Sequence, residues 1–147
     1  IDKSDYVLIE LPRITQIKNL KEIFDDIINS GKKIIIAHPE RYEFVKNDIS
    51  VIERLSDKGC LFQMNCGSAV GVFGDVECNV ALRMWFGGYV DFIGSDAHDL
   101  RWRTTDMDIF IRDYPEDLDE ELLYLALREN PEKLINNEDI TTKRYGL

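Results

Sequence analysis

Four short apolar runs constrain this chain most: "YVLIELP" at 6–12, "KIIIAHP" at 33–39, "LFQMNCG" at 61–67 and "VDFIG" at 90–94. Each reads as a strand buried on both faces, because apolar residues follow one another without regular polar alternation. Between the runs, apolar residues recur at helical spacing. Ile17, Leu20, Phe24, Ile27 and Ile28 mark one helix, closed by Gly31. Ile49, Ile52 and Leu55 mark a second, capped by Asn47 or Asp48 and ending near Gly59. A third is expected over 76–86. After a long loop a fourth follows near 119–129, then a short last one at "NPEKLINNE", where Pro131 suits a first turn. Strands alternating with helices imply βαβ units and a parallel sheet. Four such units in 147 residues are too few to close a (β/α) barrel, which takes about 250 residues. The expected fold is therefore α/β, either a small open sheet or the later part of a barrel. The start at Ile1 rather than Met favours the second, with the first strands absent.

In parallel α/β folds the active site lies at the carboxyl ends of the strands, and the polar residues collect there. The first run leads into Glu10, the second into His38 and Arg41, the third contains Gln63 and Asn65, and the fourth precedes Asp96, His98 and Arg103. Both histidines of the chain fall at this edge. Neutral imidazole with carboxylate and no cysteine suits manganese, iron or zinc. In an extended Asp96-x-His98 segment both side chains point the same way and can reach one metal cluster. Arg41 and Arg103 offer planar forks for carboxylate or phosphate. Metals beside arginines describe a pocket for a phosphorylated substrate, with metal-bound hydroxide as nucleophile. Each residue also has a plainer reading. His38 beside a proline can be a structural hydrogen-bonder, Glu10 a surface acid, and the arginines partners of Asp99 or Asp106. Trp85 reads as core and Trp102 as rim packing, and "GSAVGVFG" as a tight turn near the pocket, since it lacks the order of a phosphate loop.

Composition removes several alternatives. A formal net charge of -10, from 18 Lys plus Arg against 28 Asp plus Glu, repels nucleic-acid backbones and anionic membranes. The apolar runs are too short to span a bilayer. Cys60, Cys66 and Cys78 form neither a disulfide framework nor a zinc knuckle, which points to a reducing, cytoplasmic compartment. No arginine stands six residues after any cysteine, and no G-x-S-x-G elbow occurs, so cysteine-phosphatase and α/β-hydrolase chemistry are excluded.

The segments "LIELP", "IIAHPERY", "QMNCGSAVGVFG" and "DFIGSDAH", in this order, resemble the PHP-domain, metal-dependent tyrosine-protein phosphatases of bacterial capsule and exopolysaccharide operons. The likeness runs from Tyr6 to "ENPEKLINN". It implies the later portion of a distorted, TIM-like (β/α)7 PHP barrel, so that residues 1–147 are one PHP-type domain incomplete at its N-terminal side. It implies Mn2+, with Fe or Zn as alternatives, two or three ions per complete site. By the same resemblance Glu10 bridges metals, His38, Asp96 and His98 are metal ligands, and Arg41 and Arg103 contact phosphate, with Arg101 close by. His98, or a water beside it, would protonate the leaving phenolate. The substrate implied is phosphotyrosine on a protein, the cognate tyrosine kinase, and a homo-oligomer stays open. Such phosphatases begin with an His-x-His pair that has no counterpart among His38 and His98, so this chain alone would hold part of the ligand set. Two other outcomes stay open: a phosphatase for a small metabolite of the histidinol-phosphate type, and a non-catalytic domain that binds phosphotyrosine or a kinase. The PHP module of DNA polymerases is disfavoured by the acidic charge.

Overall fold

All four apolar runs form strands. The computed structural model describes residues 1, 3–13, 20–101, 104–113 and 118–147, apart from the Lys21 side chain. In it β1 (Tyr6–Ile9), β2 (Lys33–Ala37), β3 (Leu61–Asn65) and β4 (Phe92–Gly94) lie side by side in chain order, every neighbouring pair parallel. The register sets Val7 opposite Ile34, Ile35 opposite Leu61 and Gln63 opposite Phe92. Residues 6–12 therefore yield a shorter strand than expected, with Leu11 and Pro12 already outside the ladder.

Continuous apolar runs arise because both faces are covered. Ile34, Ile36, Phe62, Met64 and Ile93 belong to the main core with Phe24, Ile52, Met84 and Trp85. On the other face Tyr6, Ile35, Leu61 and Phe92 form a smaller cluster, packed by Leu134 and Ile140. A fully buried side chain of this size contributes about 1.5–3 kcal/mol relative to exposure. The helices of the main layer are α1 (Leu20–Asn29), α2 (Glu43–Asn47), α3 (Ser50–Ser56), α4 (Cys66–Ala69) and α5 (Asp75–Phe86). The start expected for the first helix, at Ile17, lies outside the described residues. Asp48 accepts from the Ser50 N–H at 3.2 Å, and Gly59 takes φ +85° beyond α3. Trp85 is core, 1% exposed, whereas Trp102 lies outside the described residues.

Three helices have no periodic signal: α2, α4 and, in the expected long loop, α6 (Asp108–Asp113). Each is at most six residues long and is held by packing rather than propensity. Phe110 of α6, 1% exposed, meets Trp85 edge-on at 5.2 Å. The last two expected helices join into one: α7 (Glu120–Tyr124) passes through a π-helical turn (Leu125–Glu129) into α8 (Asn130–Ile135). Asp119 caps the start, accepting from the Glu121 and Leu122 N–H groups at 2.9 and 3.2 Å. Pro131 cannot donate within a helix, and the widened turn directly before it lets the helix continue.

Residues 138–147 strap this helix to the sheet. Asn130 donates to the carbonyls of Asp91 and Thr141, both at 3.0 Å. Asp91 is 2% exposed, accepts from the Phe62 N–H and pairs with Arg144 at 2.9 Å. The strap and α8 lie away from the strand carboxyl ends, which leaves that edge to Glu10, His38, Asn65 and Asp96. Among the described residues no helix is long and apolar enough to cross a membrane, and all three cysteines are free thiols.

Candidate functional site

His38 leaves β2 in the left-handed region, φ 34° and ψ 56°, with its N–H donating to the Gln63 carbonyl at 2.7 Å. That conformation is costly for a side chain bearing a Cβ and clusters at functional sites. Here it turns the chain sharply into a 3₁₀ turn, Pro39–Arg41. The imidazole is buried, its Nε2 3.3 Å from Glu10 Oε1, and its Nδ1 has no protein partner. Burial, and next the Arg41 charge, lower its pKa, so the ring is held neutral, the form that ligates metals.

Tyr42 fixes the Glu10–His38 pair. Its hydroxyl donates to the Ala37 carbonyl and accepts from the Leu11 N–H, both at 2.8 Å, tying the exits of β1 and β2 together. Burial pushes the phenol up to about 12, so it stays a donor. Glu10 itself is largely exposed, with 71% of its side chain open. A cavity of about 450 Å³ opens between Leu8, Glu10, His38, Gln63 and Asp96.

Arg41 is buried and pairs through Nη1 with Asp96 Oδ2 at 2.7 Å. Its guanidinium lies 4.7 Å from the centre of the Phe73 ring. Asp96 also accepts from Asn65 Nδ2 at 3.3 Å, and Asn65 Oδ1 accepts from the Gly67 N–H at 2.9 Å. Of the two arginines expected to pair with Asp99 or Asp106 in the plainer reading, Arg41 pairs with Asp96 instead, and Arg103 lies outside the described residues.

Asp96 is the second left-handed residue, φ 50°. The extended geometry expected for Asp96-x-His98 is therefore corrected: the chain bends at Asp96, and His98 Nδ1 still comes within 3.7 Å of Asp96 Oδ1. His98 Nδ1 sits 2.8 Å from the Asp96 carbonyl, which can only accept, so Nδ1 carries the proton. Its ring is mostly exposed, with 59% of the side chain open. Arg103 lies outside the described residues.

Glu40, which no sequence pattern singles out, is a carboxyl with no exposure at all. Its Oε1 accepts from the Asn65 N–H at 3.1 Å and the Ser68 hydroxyl at 2.7 Å, while Oε2 has no protein partner. Burial, only partly offset by the Ser68 bond, raises its pKa to about 7. The available signal was a charged residue inside a turn flanked by Pro39 and Tyr42.

The donor chemistry suits a divalent ion: a neutral imidazole with a buried, unpartnered nitrogen, facing one carboxylate and sharing a cavity with another. The arrangement is partial. Among the described residues no three His, Cys, Asp or Glu side chains are grouped to hold a metal ion. Asp96 Oδ2 is engaged by Arg41, and His98 folds back on the Asp96 backbone.

Residues 1–136 match the family described as capsular polysaccharide synthesis, CpsB/CapC. The tyrosine-protein phosphatase YwqE of Bacillus subtilis (strain 168) is 30% identical over 140 residues, covering 95% of this chain and 55% of that protein. The tyrosine-protein phosphatase CpsB of Streptococcus pneumoniae is 28% identical over 147 residues, 94% of this chain and 59% of that one. The fold matches a solved structure from work on YwqE and CpsB, described as unique metal-dependent tyrosine phosphatases. The TM-score is 0.86 at 28% identity, over 97% of this chain and 57% of that one. This chain thus spans a little over half the length of these relatives.

Proposed function

Because the chain belongs to the capsular polysaccharide synthesis CpsB/CapC family, we propose that it forms part of a metal-dependent protein-tyrosine phosphatase. Its four parallel strands are the later portion of a distorted (β/α)7 barrel. The observation that carries the reading is the convergence of Glu10, His38 and Asp96 on one cavity, with Arg41 held against Asp96. Glu10, His38, Asp96 and His98 supply metal donors, completed by residues beyond this set. Mn2+ is the ion proposed; when bound, a divalent ion supplies Lewis acidity at the phosphoryl group.

This chain's own residues then divide the work. Arg41 presents N–H donors to the non-bridging phosphoryl oxygens as negative charge builds there. Arg103 is assigned the same role. His98 spends its Nδ1 proton on the Asp96 carbonyl, which leaves the Nε2 lone pair as its metal donor, so the proton for the leaving oxygen comes from a water beside it. A phenolate, with a pKa of about 10 for its acid, needs that proton less than an alkoxide does. The proposed substrate is a phosphotyrosine-bearing protein, the cognate tyrosine kinase, met in the cytoplasm, where free cysteines persist.

The test compares two esters with the full-length natural protein that carries this chain, loaded with Mn2+. A phosphotyrosine peptide is expected to exceed histidinol phosphate in kcat/KM by roughly tenfold or more. The reverse order would move the assignment to a small-metabolite phosphatase. Tight phosphopeptide binding without turnover would move it to a recognition domain.

A further inference from the structure

The glycine-rich segment after β3 is built closely around one aromatic ring, that of Phe73. We propose that Phe73 is a positioning residue for Arg41, and that the segment "GSAVGVFG" exists to seat its ring on the guanidinium face. The inference rests on the reading of Arg41 as the phosphate-holding residue.

Three observations converge on it. The Arg41 guanidinium carbon lies 4.7 Å from the centre of the Phe73 ring, within the range of a cation–π contact. Gly67 makes room for that ring: a Cβ there would meet Phe73 Cε2 at 3.3 Å and Val72 Cβ at 3.5 Å. Finally, the segment doubles back on itself. The Val72 N–H donates to the Gly67 carbonyl at 2.9 Å, and Gly71 and Gly74 bracket Phe73 at φ +81° and +112°, conformations that favour glycine. The base of the segment is joined to the Arg41 turn by the Ser68–Glu40 bond at 2.7 Å.

A guanidinium carries its N–H donors in its own plane and none on its faces. A ring on one face leaves the edges available, one of them on Asp96 at 2.7 Å. Face and edge contacts together fix the plane in which the fork can receive phosphoryl oxygens. Asp96 alone would leave Arg41 free to rotate about that single bond. Phe73 thus sets the orientation of Arg41 without itself touching the substrate.

The experiment uses the full-length natural protein with Phe73→Leu and Phe73→Tyr. Leucine keeps apolar packing on Gly67 but lacks the π face; tyrosine keeps the face. Two quantities are read: the order parameter of the Arg41 Nε–Hε vector by NMR, and steady-state kinetics on p-nitrophenyl phosphate with inorganic phosphate as inhibitor. F73L is expected to lower the order parameter and to raise both KM and the phosphate inhibition constant about 3- to 10-fold. The change in kcat should be smaller, with no matching drop in melting temperature, and F73Y should restore both quantities. Unchanged Arg41 order in F73L, or an F73Y protein as defective as F73L, would overturn the proposal. A wild type that turns over no aryl phosphate, with Arg41 loosened in F73L and recovered in F73Y, would sink the phosphatase reading and uphold the placement of Phe73.

Discussion

Replacing Arg41 by alanine should lower kcat/KM for a phosphotyrosine peptide by about 100- to 1000-fold, the usual cost of removing one preorganised donor group from developing oxyanion charge. The side chain is buried, held at 2.7 Å by Asp96 and faced by Phe73, so the donors do not have to be ordered when substrate arrives. Lysine should recover little of the loss. It restores the charge but not the planar fork, and its ammonium is more strongly hydrated. The effect should appear in kcat as well as KM, because the oxygens gain charge on the way to the transition state. The check is steady-state kinetics of R41A and R41K in the full-length natural protein. A loss below about 5-fold in both would mean that Arg41 serves only to neutralise Asp96, as a structural ion pair does.

Glu40 should dominate the stability of the same region. In E40A the Asn65 N–H and the Ser68 hydroxyl lose their acceptor in a fully buried place. That should cost about 3 kcal/mol in chemical denaturation. E40Q keeps an acceptor oxygen and should cost less, and it removes the titration. For Glu40 the folded pKa, about 7, stands above the ordinary glutamate value of 4.5 that the unfolded chain has. Between those two the folded state holds a proton that the unfolded chain has released, so stability falls as pH rises through this window. The loss is on the order of 3 kcal/mol and is complete about one pH unit above the folded pKa. His38 contributes with the opposite sign. Its folded pKa is below 6.5, so its contribution is present above 6.5 and is lost as pH falls below it. The difference between wild type and E40Q isolates the glutamate. Wild type should lose stability relative to E40Q from pH 5 to 7, and parallel curves would show that Glu40 does not titrate in that range.

Much of this architecture is legible in the residues themselves. The runs around Ile34–Ile36 and Leu61–Met64 carry the signal of strands buried on both faces, and the partition of Ile34 and Ile36 from Ile35 between two cores explains why no alternation is visible. The position of His38, Arg41 and Asp96 at strand exits is legible for the same reason, since strand ends can be read from where apolar runs stop. Their orientation is not. Left-handed φ at His38 and Asp96 is imposed by the Gln63 carbonyl, by Arg41 and by Asn65, all distant in sequence, and no local pattern announces it. The same holds for Glu40, whose burial depends on Asn65 and Ser68, and for Phe73, whose partner lies on another loop. Short helices such as α6 escape because one buried residue, Phe110, makes no period. Pro131 reads as a helix start, and only the widened turn before it shows that the helix runs on.

The most direct test of the central claim is phosphotyrosine-peptide turnover by the full-length natural protein after exhaustive chelation and after Mn2+ is restored, with H38A run beside wild type. Chelation is expected to abolish turnover, Mn2+ to return it to wild type, and H38A to need far more Mn2+ for the same rate. Turnover that survives chelation, or an H38A protein with an unchanged Mn2+ requirement, would contradict that claim.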